Sequence, residues 1–145
     1  TLDQTLTSAA MKVALFCRLN RSRKPCRSLR HSELGILIFI ATSKEPVCPL
    51  TISDFFGISK PSISFTLKNL IKNGYLECKP SEVDRRSYTL CVTPVGWKTV
   101  RGTCSEYTRQ IDLLCSEMGK ENFEKMIGLI ETANRILKKD AENRR

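Results

Sequence analysis

Residues 59–68, Ser59-Lys60-Pro61-Ser62-Ile63-Ser64-Phe65-Thr66-Leu67-Lys68, interleave hydroxyls, cations and one aromatic ring. Read as a helix at about 100° per residue, the segment turns Ile63, Leu67 and Leu70 to one side and Pro61, Phe65, Lys68 and Lys72 to the other. Ser62, Ser64 and Asn69 flank the outward row. Hydroxyls can reach the hydrogen-bonding edges of bases, an aromatic ring can lie on a thymine methyl, and lysines can meet phosphates. A second group with matching chemistry follows at Asp84, Arg85 and Arg86, on the polar stretch between two apolar runs. Arginines on a protruding ribbon suit phosphates or a narrow minor groove.

The elements that must hold these groups are readable on either side. Ser59 can cap the outward-facing helix, with Pro61 tolerated in its first turn. The helix runs to about Asn73, and Gly74 stands where a C-terminal glycine belongs. Upstream, Thr51-Ile52-Ser53-Asp54 reads as a capping box opening a short helix that Gly57 ends. Thr51, at the start of that helix, joins the candidate contact set. Two helices joined by a tight turn over residues 51–73 form a helix-turn-helix, whose second helix enters the major groove. Downstream, residues 75–79 and 88–92 read as two strands of a β-hairpin with its tip at 80–86. Thr93 followed by Pro94 starts a new helix.

Around this unit the chain is helical. Leu2, Leu6, Ala9, Val13 and Phe16 form a heptad-like stripe. Arg18 to Arg30 holds six basic residues and no acidic one, interrupted at Pro25. Ser32 can cap a helix over residues 33–42 that is apolar nearly all round and therefore central, and Pro46 and Pro49 mark the loop after it. Trp97, Val100, Cys104, Tyr107, Ile111, Leu114 and Met118 step by alternating threes and fours, which predicts one long amphipathic helix broken at Gly119. Phe123, Ile127, Ile130, Asn134 and Leu137 continue the pattern on a last helix.

Composition narrows the partner. The net charge is +9. Residues 1–43 carry 7 basic and 2 acidic side chains, residues 44–101 carry 9 and 5, and residues 102–145 carry 8 of each. The basic excess lies wholly in the first two-thirds; on charge alone such a one-sided field suits a polyanion, nucleic acid above all, and equally a solvated basic surface. The longest strongly apolar run, residues 34–41, is far short of a membrane span, so no membrane association is expected. The N-terminal residues show no signal-peptide pattern, which points to the cytoplasm. Seven cysteines, odd in number and without a C-x-x-C pair, argue against a disulfide framework or a zinc ribbon. A single histidine, His31, leaves few routes to a histidine-rich metal site or a His-based triad, and no metal is expected. No catalytic residues and no cofactor are expected.

Asp84-Arg85-Arg86-Ser87-Tyr88-Thr89-Leu90-Cys91-Val92-Thr93-Pro94-Val95-Gly96 resembles the D-x-R-x-x-x-L-x-L-T-x-x-G signature of MarR-type winged-helix regulators, with Val92 where the pattern prefers Leu. Residues 58–76 resemble the family's recognition helix, with Lys60 where Arg is frequent. Lysine keeps a phosphate contact but loses bidentate recognition.

The resemblance implies a mainly α fold with a small β-hairpin wing, a single MarR-like domain over residues 1–145. Residues 32–96 form the winged helix-turn-helix, and residues 1–30 and 97–145 form terminal dimerisation helices. It further implies a homodimer, double-stranded DNA with a palindromic operator, a small organic effector, and a repressor that the effector releases. In such wings the Asp holds the Arg for the minor groove, which gives Asp84 and Arg86 those roles. The expected DNA-binding set is thus Thr51, Ser59, Lys60, Pro61, Ser62, Ser64, Phe65, Lys68, Asp84, Arg85 and Arg86.

Two alternatives stand beside this reading. One is a thiol-based redox regulator. The family's peroxide-sensing subgroup uses a first-helix cysteine in a C-F-x-L-Y context; here the segment is Leu15-Phe16-Cys17-Arg18-Leu19-Asn20, with the cysteine one position later and no tyrosine. The other is a winged-helix protein-interaction module without DNA binding, against which the outward Lys68, Lys72, Arg85 and Arg86 argue.

Overall fold

The apolar periodicities above resolve, in a computed structural model, into seven helices and one hairpin among the described residues, which are 2–20, 28–82 and 87–145. Helix α1 (Gln4–Leu19) is capped by the Asp3 carboxylate, which accepts from the Thr5 and Leu6 amides. Helix α2 (His31–Thr42) is the central one: Leu34, Gly35, Ile36, Leu37 and Ile40 are all buried. It starts one residue ahead of the Ser32 cap expected from sequence. Arg30 takes the extended cap conformation, and its amide donates to the Glu33 carboxylate at 3.4 Å. That carboxylate meets an amide which the helix itself cannot satisfy.

Helix α3 (Pro49–Phe56) corrects the capping box expected at Thr51. Cys48 is the cap and Pro49 the first helical residue. Proline's fixed φ suits a helix start, and its missing N–H is no loss there. Helix α4 (Lys60–Lys72) has Ser59 as its cap, accepting from the Ser62 amide at 3.4 Å. Strands β1 (Leu76–Pro80) and β2 (Tyr88–Val92) pair antiparallel with Leu76 opposite Val92 and Pro80 opposite Tyr88. A single bridge from Val47 to Leu90 adds a third edge that the sequence reading lacked.

Thr93 caps helix α5 (Pro94–Tyr107) through the Gly96 amide at 3.0 Å. The long helix expected over residues 97–118 is divided at Thr108 into α5 and α6 (Arg109–Met118). The Thr108 hydroxyl donates back to the carbonyls of Cys104 and Ser105, a local bond that competes with regular helix. Helix α7 (Lys120–Asn143) ends the fold.

The core is one cluster drawn from α2, α3, α4, α5 and the hairpin, with Leu34, Leu37, Ile52, Ile63, Leu67, Leu70 and Leu76 at its centre. Helices α1, α6 and α7 bury no residue. Helix α2 meets α5 closely: the Tyr107 hydroxyl lies where a Gly35 side chain would stand, and the Tyr107 ring stacks on His31 at 4.9 Å. At the root of the hairpin, a Cβ on Gly96 would sit 2.3 Å from the carbonyl of Tyr75, the residue before β1, so only glycine lets α5 approach that closely.

Candidate nucleic-acid interface

The turn between α3 and α4 sets the angle at which α4 is presented. Gly57 occupies the left-handed region at φ 64°, a conformation that glycine adopts without steric cost. Beneath it, the buried Ser53 hydroxyl donates to the Ile58 carbonyl at 2.6 Å, and the Ile58 amide donates to the Ser53 carbonyl at 3.2 Å. Ser53 was not singled out from the sequence. A serine on the apolar side of a short helix, four residues before a glycine, was the available signal.

Ile63, Leu67 and Leu70 are buried, so the inward face of α4 is the one its periodicity predicts. The opposite face is open. Phe65 is 65% exposed, and Lys60, Pro61, Ser62 and Lys68 are exposed, while Ser64 is half-buried. An unpacked aromatic ring flanked by hydroxyls and cations is an apolar contact element within a polar surface. Ser59 serves the fold as the cap, and its hydroxyl also donates to that of Ser62 at 3.0 Å. The α4 amino end holds Lys60 and no acidic residue, so helix dipole and side chain share a positive sign.

Thr51 is exposed in the first turns of α3, but its hydroxyl is engaged with the Cys48 Sγ at 3.2 Å. That hydrogen bond, with the Thr51 and Leu50 amides, holds the Cys48 thiol below the ordinary thiol range against the opposing effect of burial. Cys17 is exposed on α1. Asp84, Arg85 and Arg86 lie outside the described residues, as do Pro25 and most of the basic stretch after Arg18. Strands β1 and β2 nevertheless carry the chain out from α4 and back to α5, bracketing the segment that holds the three.

Helices α3 and α7 flank an open cleft of about 810 Å³ whose lining includes Phe55, Phe56, Ile58, Asn134, Arg135 and Lys138. No group of three or more metal-ligating side chains occurs among the described residues, and no described helix is long and apolar enough to cross a membrane.

Residues 28–87 match the model of the MarR family. An uncharacterized HTH-type transcriptional regulator of Staphylococcus aureus is 27% identical over 101 residues, spanning 68% of this chain and 69% of that protein. A MarR protein from Peptoclostridium difficile superposes with a TM-score of 0.76 at 18% identity, covering 100% of this chain and 95% of its own. The S. aureus MepR–DNA complex superposes with a TM-score of 0.73 at 17% identity, covering 93% and 99%. At those identities the superpositions speak for the fold, and the family match falls on the segment that carries the helix-turn-helix and leads into the wing. Over residues 28–87 the chain is similar to the MarR family of transcriptional regulators, and over nearly its whole length it shares the winged helix-turn-helix fold of the solved structures it superposes on.

Proposed function

We propose that the chain is a dimeric, sequence-specific DNA-binding repressor that reads a palindromic operator and is released by a small organic effector. The observation that carries this is the open face of α4, where Phe65 stands 65% exposed on a helix whose other face is fully buried. A related fold has been captured on DNA, in the MepR complex.

In this reading Pro61, Ser62, Ser64 and Phe65 face the major groove and set sequence preference. Lys60 and Lys68 supply charge, and Ser59 and Thr51 stand at the helix starts nearest the backbone. The wing signature gives Arg85 and Arg86 the phosphate and minor-groove contacts, with Asp84 orienting Arg86. A two-fold dimer sets its recognition helices about 10 base pairs apart, one DNA turn. The dimer forms through the terminal helices, which leave Leu6, Val13, Leu113, Leu129 and Leu137 exposed. The effector occupies the cleft between α3 and α7, where the winged helix meets the helical arm and an aromatic wall adjoins polar groups.

The test is a titration of Phe65→Ala and Arg86→Ala against cognate and scrambled duplexes at several salt concentrations. Phe65→Ala leaves the charge unchanged and narrows the gap between the two duplexes by about 1–3 kcal/mol. Arg86→Ala weakens binding to both and flattens the salt dependence by about one unit of slope. Full discrimination by Phe65→Ala, or an unchanged slope for Arg86→Ala, overturns this docking.

A further inference from the structure

We infer that Lys138 is a positioning residue that ties the C-terminal helix α7 to the first helix of the helix-turn-helix and so fixes how α4 is presented to DNA. Residues 128–145 are exposed with one exception, and the exception is Lys138. Its ammonium donates to the backbone carbonyls of Asp54 and Phe55, the former at 2.9 Å. These carbonyls belong to the last turn of α3, where no intrahelical amide remains to meet them and the helix dipole is negative. Helix α3 has no basic residue of its own in that turn. Lys138 supplies the missing cation from 84 residues further along the chain.

Two other contacts fix the same side chain. The ammonium lies over the Phe55 ring, 5.4 Å from its centre. Phe55 itself belongs to an aromatic trio, 4.5 Å from Phe39 and 5.0 Å from Phe56, so the cation is anchored to a wall that continues into α2. The lysine stem passes 4.0 Å from where a Gly57 side chain would begin, which places it along the turn that orients α4. An amphipathic helix could pack here by apolar burial alone; the Lys138 ammonium adds hydrogen bonds whose geometry is directional.

This inference rests on the reading of α4 as the DNA-contacting helix, and the experiment separates the two. The full chain is compared with Lys138→Met, which keeps the stem and removes the donors, and with Lys138→Arg, which keeps a cation. Amide hydrogen exchange over residues 52–58 is expected to accelerate about tenfold in Lys138→Met, as the loss of charged hydrogen bonds to a helix end implies, and to return most of the way in Lys138→Arg. Duplexes selected by the wild-type chain from a random pool are then remade with their two halves moved one base pair closer or further apart. The wild-type chain should lose affinity on displacement, and Lys138→Met should lose about threefold less, because a loosened helix-turn-helix tolerates altered spacing. Unchanged exchange in Lys138→Met overturns the contact, and faster exchange with unaltered spacing preference overturns the positioning role. If the wild-type chain selects no duplex, the DNA reading fails and the exchange result alone decides the contact.

Discussion

The winged-helix body and the helical arms are built on opposite terms. In the body, Leu34, Leu37, Ile52, Ile63, Leu67 and Leu70 are each at most 1% exposed and pack on one another. In the arms, Leu6 is 67% exposed, Leu113 53% and Leu129 67%, although they lie on amphipathic helices. The body buries a central cluster and leaves Phe65 and Phe55 open, whereas α1, α6 and α7 bury no residue at all. Such display over three helices supports the dimer surface proposed above.

Three substitutions would break or sharpen that contrast, measured as unfolding free energy of the chain at high dilution. Leu67→Ala should cost about 2–5 kcal/mol, since it removes a fully buried side chain from the centre of the cluster. A loss below 1 kcal/mol would mean the body is loosely packed. Thr93→Ala should cost about 1–2 kcal/mol, because one hydroxyl both caps α5 and donates to the Gly74 carbonyl. Denaturant titration with an unchanged midpoint would remove the wing root from the list of fixed points. Leu6→Asp should change the diluted chain by less than about 0.5 kcal/mol, as an exposed substitution. At micromolar concentration the same variant should sediment as the 16.5 kDa chain while the parent sediments as a dimer. A parent that stays at 16.5 kDa would remove the dimer altogether.

Legibility followed the same division. The inward face of α4 and the cap at Thr93 were readable because both are local: a periodicity of 3.6 and a side chain bonding three residues on. The buried character of α2 was readable from its composition. What escaped the sequence was decided between distant residues or by two competing local options. The α3 start moved from Thr51 to Pro49 because proline at a first turn outcompetes a weaker capping pattern. The division at Thr108 left the apolar stripe intact, so no periodicity could reveal it. The bridge from Val47 to Leu90 and the reach of Lys138 to α3 join segments 43 and 84 residues apart, and neither leaves a local mark. The exposure of Phe65 was foreseen from the helix angle, whereas the clamp made by Ser53 was not.

The backbone contact at Gly96 gives the molecule a mechanical property. With the Tyr75 carbonyl and the Val92 side chain filling the space where a side chain would begin, and the Thr93 amide donating to that same carbonyl at 3.1 Å, α5 and the root of the hairpin are held in close contact. A protein interior transmits strain best where it is densest and hydrogen-bonded. Any side chain larger than hydrogen at position 96 would meet the Tyr75 carbonyl and the Val92 side chain, and would pry α5 away from the root of the hairpin.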